Sequence, residues 1–161
     1  MPTATRPAVN AGIGTSGITI RPATAADLPA IVALDEKETG LPKCQYWREL
    51  FAHFSQKKGG GRAFLVAEAG GEVAGFITGE VRAFEFGSEP CGWVFALHVA
   101  PEYREHDIGT RLFETICATF RRAGVAKVRT MLARDNDLVL AFFRSQGMMA
   151  GPFIQLEMEL E

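Results

Sequence analysis

Residues 93–112 read WVFALHVAPEYREHDIGTRL, and no other stretch constrains the fold as much. Within 93–99 only His98 is polar, the pattern of a strand buried on both faces. Pro101 ends that strand. Apolar residues then return at helical spacing, at Ile108, Leu112, Phe113, Ile116 and Phe120, until Arg121, Arg122 and Gly124 supply the cations and glycine suited to a helix end. A short strand over 127–132 follows. Strand, helix and strand in this order predict a crossover connection, with its ligand site where the first strand gives way to the helix, at 100–109.

The remaining elements are legible from period and punctuation. Residues 18–21 alternate as a strand and are limited by Pro22; helix one covers 26–37, with Leu28, Ile31, Val32 and Leu34 on one face and Asp27 near the positive end of its dipole. After Gly40 and Pro42, a second helix carries Tyr46, Trp47, Leu50, Phe51 and Phe54 ahead of Lys57, Lys58 and three glycines. That aromatic face either packs on a sheet or lines part of an acceptor pocket. Strands over 63–68 and 72–84 flank Gly70-Gly71 and predict an antiparallel hairpin. A helix over 136–146 precedes a last strand over 153–160, in which Phe153, Gln155, Glu157 and Glu159 oppose Ile154, Leu156, Met158 and Leu160. The order β-α-α-β-β-β-α-β-α-β implies an α/β fold of mixed type: a central, mostly antiparallel sheet with helices on both faces.

With 161 residues, 47% of them apolar, and a net charge of −2, residues 18–161 suit one domain behind a disordered tail over 1–17. The even charge balance argues against nucleic acid as partner, and the tail holds no stretch apolar enough for a signal peptide or membrane span. A homodimer is compatible with this composition. Cys44, Cys91 and Cys117 are scattered and odd in number, which suits free thiols in a reducing cytoplasm rather than a metal site or disulfide framework. Cys117 lies within an apolar helical pattern and reads as core.

The turn before the second half's helix has the chemistry of an anion receptor. An opening helix presents backbone N–H groups and a positive dipole end, Gly109 admits an anion without a side chain in the way, and Arg104 adds charge.

The spacing Arg104, two residues, Asp107, one residue, Gly109 resembles motif A of the GNAT superfamily of acyl-CoA-dependent N-acyltransferases, with Asp107 in place of that motif's middle glycine. Val99, Pro101, Tyr103, Ile108 and Leu112 fit its usual surroundings, and the opening ITIRPATAADLPAI is similar to the superfamily's first strand and helix. Asp tolerates unusual backbone angles and can cap a helix, so the loop survives the exchange. The resemblance implies acetyl-CoA as cosubstrate and no metal. It implies that the backbone of Leu97, His98 and Val99 bonds the pantetheine arm, and that Arg104, Glu105, His106, Asp107, Ile108, Gly109 and Thr110 hold the pyrophosphate. Asn136, Phe142, Phe143 and Gly147 are similar to the second cofactor motif, with Asn136 on the pantetheine arm. Phe143 stands where the family often has a tyrosine that protonates the leaving thiolate.

The implied reaction is direct acetyl transfer to a primary amine in a ternary complex, with strand backbone N–H groups polarising the thioester carbonyl. An amine acceptor near pKa ~10.4 is mostly protonated at neutral pH, so a base is expected. His98 on the buried strand and Glu80 on the neighbouring long strand are the candidates, with Glu85 near that strand's end; each also has a structural reading, as a satisfied core histidine or a solvated carboxylate. The mixed aromatic and acidic segments 38–51 and 81–92 suit a cationic amine of a small molecule, a peptide or a protein. Phe143 and Asp107 motivate a rival, an acyl-CoA-binding regulatory module with weak catalysis. A protein-interaction domain using the face around Trp47 leaves the 104–109 segment unexplained.

Overall fold

The computed structural model describes residues 17–56 and 60–160, in two compact units divided between Thr130 and Met131. The expected tail, apart from Gly17, and Lys57, Lys58 and Gly59 lie outside the described residues.

The first unit runs β1 (Ile18–Pro22), α1 (Leu28–Thr39), α2 (Cys44–Ser55), β2 (Arg62–Ala69), β3 (Glu72–Arg82), β4 (Cys91–Val99), α3 (Ile108–Arg122) and β5 (Val128–Arg129). Its five strands form one sheet in sequence order, antiparallel except for the parallel pair of β4 and β5. The hairpin between β2 and β3 turns at Gly70 and Gly71, both at positive φ (58° and 84°), as a two-residue hairpin turn demands.

Each helix is anchored where its sequence pattern begins. Before α1 a short 3-10 turn brings Asp27 back onto the Thr24 N–H (2.7 Å), and Arg21 of β1 binds Asp27 (2.8 Å) and Glu68 of β2 (2.8 Å). The helix ends at Gly40, whose φ of 71° a side chain would strain. Ile31 and Leu34 of α1 and Trp47 and Phe54 of α2 bury against Phe64, Val66 and Phe76 of the sheet. Trp47 meets Phe76 edge-on at 5.1 Å between ring centroids. Full burial of such side chains contributes roughly 1.5–3 kcal/mol each.

All five predicted stripe residues of α3 are buried, on the opposite face of the sheet. Gly75 makes that approach close: a Cβ there would lie 2.8 Å from the His98 carbonyl oxygen and 3.3 Å from the Ile108 side chain. Odd-numbered residues of β3 therefore face α3, and the even-numbered Phe76 and Glu80 face α1 and α2.

Several sequence expectations are corrected. The strand over 93–99 is not buried on both faces; Phe95 is 38% exposed, and the residues after it are only partly covered. The expected strand over 72–84 ends at Arg82, because Phe84 takes φ 60° and leaves the strand conformation. The strand over 127–132 shrinks to Val128 and Arg129, since the Thr130 hydroxyl, instead of a backbone donor, takes the Val94 carbonyl (3.1 Å).

The second unit holds α4 (Asp137–Ser145). The strand expected over 153–160 does not form, and Ile154, Leu156, Met158 and Leu160 are exposed. Alternation specifies two faces but supplies no edge to pair with, and the described residues of this unit contain no other strand.

Candidate active site

The edge of β4 opposite β3 is the site's frame. Gly92 and Trp93 pair with β5, Thr130 caps the Val94 carbonyl, and beyond that no strand among the described residues covers this edge. Ala100 donates to the Ala74 carbonyl on β3 (2.8 Å), so strand alternation turns the backbone groups of Leu97 and Val99 to the uncovered side. The backbone of His98 is turned to β3 instead, so of the three residues expected to present main-chain groups, two do so.

The chain then passes through a 3-10 turn (Pro101–Tyr103) into α3. Arg104 reaches back, its Nε donating to the Val99 carbonyl (3.3 Å), and its guanidinium contacts Glu38 of α1. Glu105 and His106 complete the turn, and Asp107 occupies the left-handed region at φ 56°, ψ 17°. This is the conformation a middle glycine would supply, and Asp is among the few other residues that adopt it readily. Its side chain forms no capping bond, so the backbone angle, and not capping, is what the position requires. Ile108 is fully buried and fixes the first turn of α3, and Gly109 and Thr110 continue it. The opening of an α-helix carries the positive end of the helix dipole, which suits a phosphate. The two features adjoin in the chain: the outward-facing strand edge at Leu97 and Val99, then the helix opening at Ile108.

The sequence pattern of the acetyltransferase (GNAT) family matches residues 28–148. The chain belongs to that family. Solved GNAT-like folds agree: an aminoglycoside N-acetyltransferase AAC(6')-Iy in complex with CoA superposes with TM-score 0.78 at 14% identity, covering 88% of this chain and 94% of that one. An aminoglycoside antibiotic 6'-N-acetyltransferase AAC(6')-Ih from Acinetobacter baumannii gives 0.75 at 17% identity, over 90% and 100%. A transcriptional regulator from Bacillus halodurans C-125 gives 0.74 at 18% identity, over 89% and 99%. The sequence-derived resemblance and fold class both stand, and the chain is an N-acetyltransferase by family.

On this GNAT scaffold the two candidate bases differ in surroundings. Glu80 sits among cations: Arg62 at 3.3 Å, Arg82 at 3.5 Å and His53 at 3.8 Å. Two guanidinium groups hold that carboxylate in a structural ion-pair network. His98 packs its ring on Phe76 (centroids 5.1 Å apart, 33° between planes), with Nε2 3.5 Å from Asp35 of α1. Burial pushes its pKa below the usual histidine value, against the pull of Asp35 and Glu38. His98 is thus a neutral, ring-fixed imidazole near pH 7. Glu85 is 40% exposed in its side chain and pairs with Arg82 (3.5 Å).

In the second unit Asn136 is the N-cap of α4, its Oδ1 accepting from the Val139 N–H (3.2 Å). Phe143 is buried and stacks edge-on with Phe142 (5.2 Å). A phenyl ring there carries no proton to give.

Two features went unread in the sequence. Asp35 follows Leu34 on the buried side of α1 and is 2% exposed; its signal was an acid within the apolar spacing set by Ile31 and Leu34. Phe84 and Phe86, both at positive φ (60° and 53°) and both above 70% exposed, bracket Glu85, and no local pattern predicts two phenylalanines in that conformation. Among the described residues no group of His, Cys, Asp and Glu is arranged to hold a metal ion, and no helix is long and apolar enough to cross a membrane.

Proposed function

We propose that this chain moves an acetyl group from acetyl-CoA to a primary amine of a cationic acceptor, directly and within a ternary complex. One observation carries the reading: the backbone of Leu97 and the N–H of Val99 face away from β3, and the chain leads from them through the Asp107–Gly109 turn into the opening of α3. Acetyl-CoA supplies an activated thioester. Leu97 and Val99 hydrogen-bond the pantetheine amides, and the turn from Arg104 to Thr110 receives the pyrophosphate.

His98 accepts the proton that the acceptor amine must lose, in preference to Glu80, which is paired with Arg62 and Arg82. Phe143 does not serve as acid. A thiolate whose parent thiol has a pKa near ~8.5 leaves without a protein proton donor. Proteins of similar fold are named aminoglycoside N-acetyltransferases, and the Phe84-Glu85-Phe86 segment offers aromatic and acidic groups suited to a cationic amine acceptor. A cytoplasmic location is consistent with three free thiols among the described residues.

The test is thiol release from acetyl-CoA across a panel of aminoglycosides, polyamines, peptide amino termini and lysine peptides, with thermal melting in parallel. Amine-dependent release and a raised Tm with acetyl-CoA are expected. A Tm unmoved by acetyl-CoA would remove the basis of the reading. Tight binding without turnover over the whole panel would favour a regulatory module.

A further inference from the structure

Asp35 is the most deeply buried carboxylate among the described residues, and its partners are all donors. Trp47 Nε1 donates to Oδ2 (2.9 Å), Lys43 Nζ lies 2.9 Å from the same oxygen, and His98 Nε2 lies 3.5 Å from Oδ1. Removing a carboxylate from water costs several kcal/mol unless such partners are present. The indole and ammonium groups satisfy that requirement and tie α1 to α2. The third contact is of another kind, because it joins the buried acid to a side chain on β4, the strand that frames the active site.

We propose that Asp35 is a positioning residue for His98, accepting its Nε2–H so that Nδ1 is the nitrogen that takes the proton of the acceptor amine. An ionised carboxylate only accepts hydrogen bonds, so a stable contact requires Nε2 to carry the hydrogen. Phe76, stacked on the imidazole, fixes the remaining rotation of the ring. His98 keeps 18% of its side chain exposed, enough for a reactant to reach it. As the nitrogen-carbon bond forms and the carbon-sulfur bond breaks, the electron pair goes to sulfur and the amine proton to Nδ1, and Asp35 offsets the imidazolium charge. The charged groups facing His98 are Asp35 and Glu38 of α1, which favour its protonation, and Lys43 and Arg104, which oppose it.

This inference rests on the acetyltransferase reading for its kinetic consequence, but its structural core is readable without turnover. Long-range nitrogen-proton NMR of the wild-type protein, with His98 assigned by loss of its signals in His98→Gln, should show the Nε2–H tautomer; an Nδ1–H tautomer would overturn the proposal. In Asp35→Asn the acid limb of kcat/KM should move to lower pH, because loss of a negative neighbour lowers the histidine pKa, and kcat should fall about tenfold or more. Trp47→Phe also breaks an α1–α2 tie yet keeps the carboxylate, so its acid limb should stay in place. An unmoved limb in Asp35→Asn, or an equal displacement in Trp47→Phe, would reduce Asp35 to a structural anchor. Absence of acetylation with every amine would overturn the catalytic reading while the NMR result still decides the tautomer.

Discussion

Arg104 donates to the carbonyl of Val99, tying the turn before α3 to the end of β4, and the same guanidinium contacts Glu38. Both side chains of that ion pair are more than 40% exposed, so the pair contributes at most about 1 kcal/mol and yields readily to a bound anion. Arg104→Ala is expected to weaken acetyl-CoA binding about tenfold, whereas Glu38→Gln, which frees the guanidinium, should leave it unchanged or tighten it. Isothermal titration of the two variants separates these outcomes; equal weakening in both would refute the assignment.

Gly109→Asp places a carboxylate in the first turn of α3, where it favours the helix but repels a phosphate. The free protein should melt at or slightly above the wild-type temperature. Its Tm should no longer rise with acetyl-CoA at concentrations that stabilise the wild type, reflecting a loss of about a hundredfold or more in affinity. A preserved ligand-induced rise would mean that the anion binds elsewhere.

Acid stability should report the Arg21–Asp27 contact. The guanidinium of Arg21, aided by the Thr24 N–H, lowers the Asp27 pKa from 3.8 to about 2. A depressed carboxylate pKa stabilises the fold fully above the unfolded value and loses that contribution as pH falls toward the folded one. Urea titrations should therefore show a contribution of about 2 kcal/mol from this group at pH 7 that fades between about pH 4 and pH 2. Asp27→Asn should lack both the contribution and this part of the slope.

Phe84 is 76% exposed and sits at φ 60°, so little burial offsets its backbone strain. Phe84→Asn should raise stability by up to about 1 kcal/mol, since Asn adopts this region at lower cost. If the segment contacts the acceptor, KM for a cationic amine rises in the same variant while acetyl-CoA affinity stays constant. Denaturant melts and steady-state kinetics read the two effects separately.

Much of the fold was legible because α3 and the β2–β3 hairpin carry strong local signals: a five-residue apolar stripe ended by cations and glycine, and a Gly-Gly turn between two strand-like runs. The family motif was legible for the same reason, since Arg104, Asp107 and Gly109 lie within six positions of one another. What escaped depended on distant partners. Nothing near Asp35 in the sequence announces His98, because the contact exists only after α1 packs on the sheet. The failed strand over 153–160 is the converse case, a clear local alternation with no other strand among the described residues of its own unit. Nor does the sequence near Glu80 announce that folding sets Arg62 and Arg82 beside it.

The register shift between Thr78 and Gly79, which leaves Phe95 without a partner on β3, works as a change of parity. Before it, the even-numbered Gly92 and Val94 point toward α3; after it, the even-numbered Ala96 and His98 point toward α1 and α2. A strand of uninterrupted alternation could satisfy one end or the other. With Phe95 deleted, either Gly92 would lose its place beneath Phe120, or His98 would turn away from Asp35 and into the layer of α3. One supernumerary residue thus lets a single strand serve two masters, the packing of a helix at its start and the seating of an imidazole beside Asp35 at its end.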